Sequence, residues 1–328
     1  MRIGNKIYIL LIVLVVIISA CEKEEVKITL PARGNTTFMV IENLGKDFEK
    51  QGFFNLKDSA LTLVDINSWD LCFDASEYGS SITINGGMDM YAAKTNSYKF
   101  FKTNNPDTFN YKWDAPCGCV DSLAIHNWAQ NLGKVYILDR GAYYTKDRYI
   151  QIKFISFNKN SYQFEYASND NPEERFFIEL QKEELKAHVY FSFTTKQPLD
   201  FEPNKNAWDF CFIKYRHVFF ETNPITKYVV RGIFVNNTKS VVAVDSSCAF
   251  ESITPSYAIN NCKYSNLRDA MGYDWKVYNF TTGQYMARTN VNYMIKDWHT
   301  DEIYKLRFLD FNNNGIKGTP KFEYLLLK

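Results

Sequence analysis

The chain has 328 residues with 38 basic and 37 acidic side chains, and setting aside an amino-terminal segment that carries Arg2 and Lys6 leaves a slightly negative balance. No basic face remains to meet a nucleic-acid backbone, so that class is excluded. The length exceeds what one core usually holds, which predicts two domains, and 46% hydrophobic residues with 26 Phe and 22 Tyr exclude a disordered chain.

Arg2 and Lys6 precede the twelve-residue apolar run from Ile7 to Ile18. The run is shorter than the roughly 20 residues that cross about 30 Å of hydrocarbon, and its layout is that of a secretory signal. It ends in ISAC, which resembles the bacterial lipobox, where the peptide is cut and Cys21 is lipidated. Each acyl CH2 buried in a membrane then contributes about 0.8 kcal/mol. Residues 1–20 are therefore expected to be a signal peptide and 21–36 a lipidated tether. The sequence after the cut, CEKEEVK, resembles the acidic signal that sends Bacteroidota lipoproteins to the outer cell surface, so a lipid-anchored outer-membrane location is expected.

Beyond the tether the chain reads as β. WDLCF (Trp69 to Phe73) reads as a strand with Trp69, Leu71 and Phe73 on one face and Asp70 and Cys72 on the other. INGG (Asn85 to Gly87) is turn chemistry. Asp121 suits the N-cap of one short helix through SLAIHNWAQNL, ending before Gly133. VYILD, QIKFISF and QFEYA then give strands over 135–139, 151–157 and 163–167, with period-two alternation in RYIQIKFISF. AHVYFSFTT follows, and then the opening pattern returns as WDFCF (Trp208 to Phe212). KYVVRGIFVNN, SVVAVD, NYMIKD, KLRFLDF and KFEYL complete the second series.

The spacing between corresponding residues grows from 139 at the tryptophans to 154 at Phe154 and Phe308 and 158 at Phe164 and Phe322. Order kept with small drift predicts two copies of one unit, the second longer by roughly 15 residues. The expected architecture is all-β and mainly antiparallel, with domains at 37–184 and 185–328. Burying an unpaired carboxylate costs several kcal/mol, so Asp70 and Asp209 are expected to be hydrogen-bonded anchors beside Trp69 and Trp208, held by a neighbouring turn.

Six cysteines remain after Cys21, and their pairing is open. Cys72 and Cys211 read as small buried strand residues. Cys248 and Cys262 flank a polar loop that a disulfide would close. Cys117 and Cys119, around one glycine, suit a soft metal site, a local disulfide or separate partners. Of four histidines, His126 rides the expected helix, His188 and His217 lie in strands and His299 sits in a turn, so none forms a spaced ligand pair. DFNNNGIKG (Asp310 to Gly318) resembles the start of a calcium loop, but its twelfth position is Lys321 rather than a bidentate glutamate, so it reads as a hairpin turn. No nucleophile elbow, HExxH or phosphate loop appears, and a non-enzymatic protein is expected.

SWDLCFDASEYGSSITINGG and the stretch from Met271 to Lys328 resemble the tryptophan-aspartate strand and carboxy-terminal half of the HmuY family, haem-binding surface lipoproteins of Bacteroidota. The resemblance runs from about Phe38 to Lys328 and implies two tandem β domains that capture haem or another flat apolar ligand, with hand-over to a TonB-dependent haem transporter or other outer-membrane protein. It supplies no motif that carries an iron ligand across residue by residue. Met88, Met90, Met271 and Met286 are the candidate haem ligands that the loops provide, and no other metal site is expected. The alternative is a duplicated β scaffold for adhesion or assembly, contacting partners through aromatic faces such as Tyr143, Tyr144 and Tyr149.

Overall fold

A computed structural model describes residues 36–328; the expected signal peptide, Cys21 and nearly all of the tether lie outside them. The strands are β1 (Thr37–Val40), β2 (Lys50–Phe54), β3 (Leu61–Asp65), β4 (Leu71–Asp74), β5 (Ile82–Ile84), β6 (Tyr91–Lys94) and β7 (Val135–Asp139). They continue with β8 (Tyr149–Phe157), β9 (Ser161–Ser168), β10 (Phe176–Gln181), β11 (His188–Ser192), β12 (Gln197–Leu199) and β13 (Phe210–Phe219). Then come β14 (Thr226–Val235), β15 (Ser240–Asp245), the short helix α1 (Pro255–Asn260) and β16 (Lys276–Asn279). The last are β17 (Gln284–Ala287), β18 (Asn292–Asp297), β19 (Ile303–Asp310) and β20 (Lys321–Leu326). The all-β reading holds, and the strand pairings are antiparallel.

These strands make two five-stranded sheets, β10-β9-β8-β7-β6 and β1-β20-β19-β18-β15, two four-stranded sheets, β12-β11-β4-β5 and β14-β13-β2-β3, and the two-stranded hairpin β16-β17. Each five-stranded sheet covers one four-stranded sheet. In the first sandwich Phe73 of β4 stacks on Phe164 of β9 with centroids 5.6 Å apart. In the second, Phe212 of β13 meets Phe308 of β19 and Phe322 of β20 at 6.5 and 6.1 Å. Such pairs add about 0.5–1.5 kcal/mol to the burial of the rings themselves.

A division at 184/185 is not confirmed. Residues 36–328 cluster as one compact unit, and strands pair across that boundary: β1 with β20, β2 with β13, and β11 with β4. In the second sandwich β2 and β3 stand where β11 and β12 stand in the first, since Phe54 faces Phe210 as Phe191 faces Leu71. The first sandwich is therefore continuous from β4 to β12, while the second is completed by the three strands at the start of the described chain.

Local differences from the sequence reading have local causes. The segment expected to be one helix forms two 3-10 turns, Val120–Ser122 and Trp128–Asn131, because Leu123 is extended and Asn127 takes a left-handed φ of 53°. Asp121 makes no cap there. In the first motif the strand begins only at Leu71, after a 3-10 turn at Ile66–Ser68. The alternation therefore slips, with Leu71 and Phe73 entering the first core and Trp69 lying on the Cys72 side. The extra length of the second copy sits mainly in the β13–β14 hairpin: Asn85 follows Trp69 by 16 residues, whereas its counterpart Asn236 follows Trp208 by 28. That hairpin reaches over the first sandwich, where Arg216 pairs with Asp89 and lies 4.0 Å from the Tyr91 ring, and Lys227 sits 3.6 Å over Trp113.

Candidate ligand-binding cleft

Both tryptophan-aspartate motifs end in the same corner. Asn85 Nδ2 donates to the carbonyls of Ile66 and Trp69, and Asn236 Nδ2 donates to those of Lys205 and Trp208. The backbone N–H of each asparagine donates to the carbonyl of Asp70 or Asp209. The carboxylates accept from the neighbouring turn, Asp70 Oδ2 from Phe193 N and Asp209 Oδ2 from Leu56 N, each at 2.7 Å. Each also binds a buried cation. Asp70 takes Arg140 Nε at 2.7 Å and Nη2 at 3.1 Å, and Asp209 takes Lys239 Nζ at 2.7 Å. Burial raises both carboxyls above the ordinary range, against the pull of these cations. With these bonds satisfied within the corner, Asp70 and Asp209 are anchors that fix where the indoles point.

The indoles point between the two four-stranded sheets. Trp69 and Trp208 line one cleft together with Phe53, Tyr190, Cys72 and Cys211. Gly87 brings the rim close: a Cβ there would stand 2.6 Å from the Lys214 carbonyl, so only glycine lets the turn meet β13. The enclosed space is about 70 Å³, well below the roughly 300–1,000 Å³ of a site that swallows a whole cofactor. It admits the edge of a flat molecule.

The two halves of the cleft differ in one hydrogen bond. Trp69 Nε1 donates to Gln51 Oε1 at 3.0 Å, whereas Trp208, only 4% exposed, has an Nε1 with no partner. His188 occupies the place of Gln51 in the other sheet, but its Nδ1 bonds Glu202 Oε2 at 3.0 Å, as does the Tyr190 hydroxyl at 2.7 Å. Burial pulls the His188 imidazolium down and the Glu202 carboxylate outweighs it, so the net shift is upward. Lys214 and Arg268 also line the cleft, and Asp114 faces it. Burial pushes the Asp114 carboxyl up to about 6, although it accepts from Ala124 N and Ile84 N. Burial disfavours both thiolates, pushing Cys72 up to about 12 and Cys211 well above its ordinary value.

None of the four candidate methionines lines this cleft. Met88 and Met90 fill the first core, Met271 fills the second, and Met286 is exposed on β17, with its sulfur 3.6 Å from Asn279 Nδ2. The cleft offers one imidazole, already bonded to a carboxylate, so the residues present do not fit paired axial ligation of a haem iron. Among the described residues no group of three or more His, Cys, Asp or Glu side chains is arranged to hold a metal. Cys117 and Cys119 form a local disulfide across Gly118, whose φ is +73°, while Cys248 and Cys262 are free thiols packed on one small cluster. His126 Nδ1 bonds the Leu123 carbonyl, His217 packs on Phe219 and Tyr273, and His299 lies beside Trp298. The DFNNNGIKG segment is the turn between β19 and β20.

Sequence reasoning singled out the indoles but missed Gln51, Glu202, Asp114 and Arg268. For Gln51 a signal existed: QGFFNLKDS (Gln51 to Ser59) echoes HVYFSFTTK (His188 to Lys196), which marks a further matching element of the repeat and aligns Gln51 with His188. No protein-family model, curated protein or solved structure matches the chain.

Proposed function

We propose that this protein is a non-enzymatic surface lipoprotein that captures the edge of one flat, largely apolar ligand bearing a carboxylate in the cleft between its two tryptophan-aspartate motifs. The observation that carries this is the unpartnered indole N–H of Trp208 inside an aromatic cleft that Lys214 and Arg268 also line. A buried donor without an acceptor costs about 1–3 kcal/mol, and a ligand oxygen at that point recovers it. The aromatic walls supply the apolar contact, and the cations offset the ligand's charge. Surface anchoring through Cys21 places the cleft where ligands arrive, and an outer-membrane transporter is the partner for hand-over.

Iron plays no part in this capture. The test is a titration with protoporphyrin IX, a flat metal-free dicarboxylate, alongside haemin, followed by intrinsic tryptophan fluorescence. Comparable quenching by both supports the reading. Quenching by neither at roughly ten micromolar, or by haemin alone, overturns it.

The scaffold reading rests on a different observation. The β16–β17 hairpin carries Val277, Tyr278, Phe280, Tyr285 and Met286 in the open, with Phe280 91% exposed. A pulldown from solubilised outer membrane that recovers a stoichiometric partner, lost when Phe280 and Tyr278 are changed to serine, would favour it.

A further inference from the structure

The duplicated architecture holds its own control for a second site. On the five-stranded sheet of the first sandwich, Val135 faces Lys153 across β7 and β8, Lys153 pairs with Glu165 at 2.8 Å, and its ammonium lies 5.3 Å over the Phe100 ring. On the corresponding sheet of the second sandwich, Asn292 faces Arg307 across β18 and β19, Arg307 Nε bonds Glu323 at 2.7 Å, and its guanidinium lies 4.4 Å over the Phe250 ring. Register, ion pair and aromatic support are the same. The difference is the first residue. Val135 is fully buried in an apolar plug with Phe100 and Ala167. Asn292 is 1% exposed and lines a pocket of about 300 Å³ that also presents Ser247, Thr289, Asn290, Glu251 and Arg307.

A buried amide at a place where the duplicate uses valine is an expense to the fold unless it binds something. Asn292 Nδ2 donates to the Cys248 carbonyl at 2.8 Å, but Oδ1 has no partner. Arg307 is held between Glu251 and Glu323 at 2.8 and 2.7 Å, so its positive charge is already compensated. A strongly anionic ligand therefore gains little, and an apolar one would strip water from hydroxyls and amides without replacing it. What matches is a neutral ligand with adjacent groups that both donate and accept, at a volume near the low end of small-molecule sites.

We propose that this pocket binds a neutral polyhydroxylated ligand of about one sugar unit, with a ligand hydroxyl donating to Asn292 Oδ1. The site is separate from the central cleft and does not depend on its ligand. Asn292→Val is the informative variant, because it restores the residue that the first sandwich already accommodates in the same register. Saturation-transfer NMR of the purified protein with a panel of neutral methyl hexosides and N-acetylhexosamines, each at a few millimolar, reads binding directly. The expected result is transfer to at least one sugar in the wild type and at least a tenfold loss of affinity in Asn292→Val, with an unchanged or higher melting temperature. Thr289→Ala, outside the core, is expected to weaken the same sugar with no change in melting. Absence of transfer to every sugar, or transfer that Asn292→Val leaves intact, overturns the proposal.

Discussion

The paired anchors make an unequal stability prediction. Asp70 and Asp209 stand in equivalent corners, but Asp70 neutralises Arg140, whose side chain is 2% exposed and pairs with no second carboxylate among the described residues. Lys239 keeps a second carboxylate, Asp297, at 3.7 Å when Asp209 is removed. Asp70→Ala leaves a buried guanidinium with Thr194 Oγ1, the Asp147 carbonyl and the rings of Tyr144 and Phe193 but no carboxylate to neutralise it, and it leaves Phe193 N without its acceptor. Breaking a buried pair from one side costs about 3–5 kcal/mol, so Asp70→Ala is expected to lose about 4 kcal/mol and Asp209→Ala about 2 kcal/mol. Asp70→Ala combined with Arg140→Met removes the stranded charge and is expected to recover about half of the loss. Urea unfolding followed by tryptophan fluorescence measures all four proteins. Equal losses for the two aspartates, or a double variant no better than Asp70→Ala, would refute the reasoning.

Other expectations follow from the same structure. Trp69→Phe leaves Gln51 Oε1 without its donor and is expected to lose about 1 kcal/mol, while Trp208→Phe removes a donor that has no partner and is expected to leave stability unchanged or raise it; thermal melting separates the two. Capture of protoporphyrin IX is expected to weaken as pH rises through about 6, because Asp114 gains negative charge there and His188 loses positive charge at higher pH; a fluorescence titration from pH 5 to 8 that shows no weakening contradicts this. Lys276 donates to the carbonyls of Arg231 and Tyr273, and burial pushes it from 10.5 down to about 7. The unfolded chain then binds the extra proton between those values, so stability should rise with pH across that window, and Lys276→Met should flatten the rise in denaturation curves.

Much of the fold was legible in the sequence because short apolar runs bounded by turn residues mark strands, whether one face is buried or both. VYILD, SVVAVD and NYMIKD are strands at the residues where the pattern places them. The repeat was legible through Trp69 and Trp208 because the corner needs an indole, a carboxylate and a distant asparagine together. The strand exchange was not, since β2 and β11 carry similar apolar faces and alternation does not say which copy a strand joins. The cleft was half legible: both indoles stood out, but the unpartnered N–H of Trp208 depends on His188 turning to Glu202, fourteen residues away along the chain. Met88, Met90 and Met271 drew attention as candidate loop ligands, but their side chains are buried in the two cores, and residue type alone does not say which way a loop thioether turns.

The central claim is that two copies of the motif build one cleft, not two. Isothermal titration of protoporphyrin IX into the wild-type protein, Trp69→Phe and Trp208→Phe tests it most directly. The account predicts one ligand per chain, with affinity reduced in both variants and more in Trp208→Phe. Two ligands per chain, each sensitive to a different tryptophan, would contradict it.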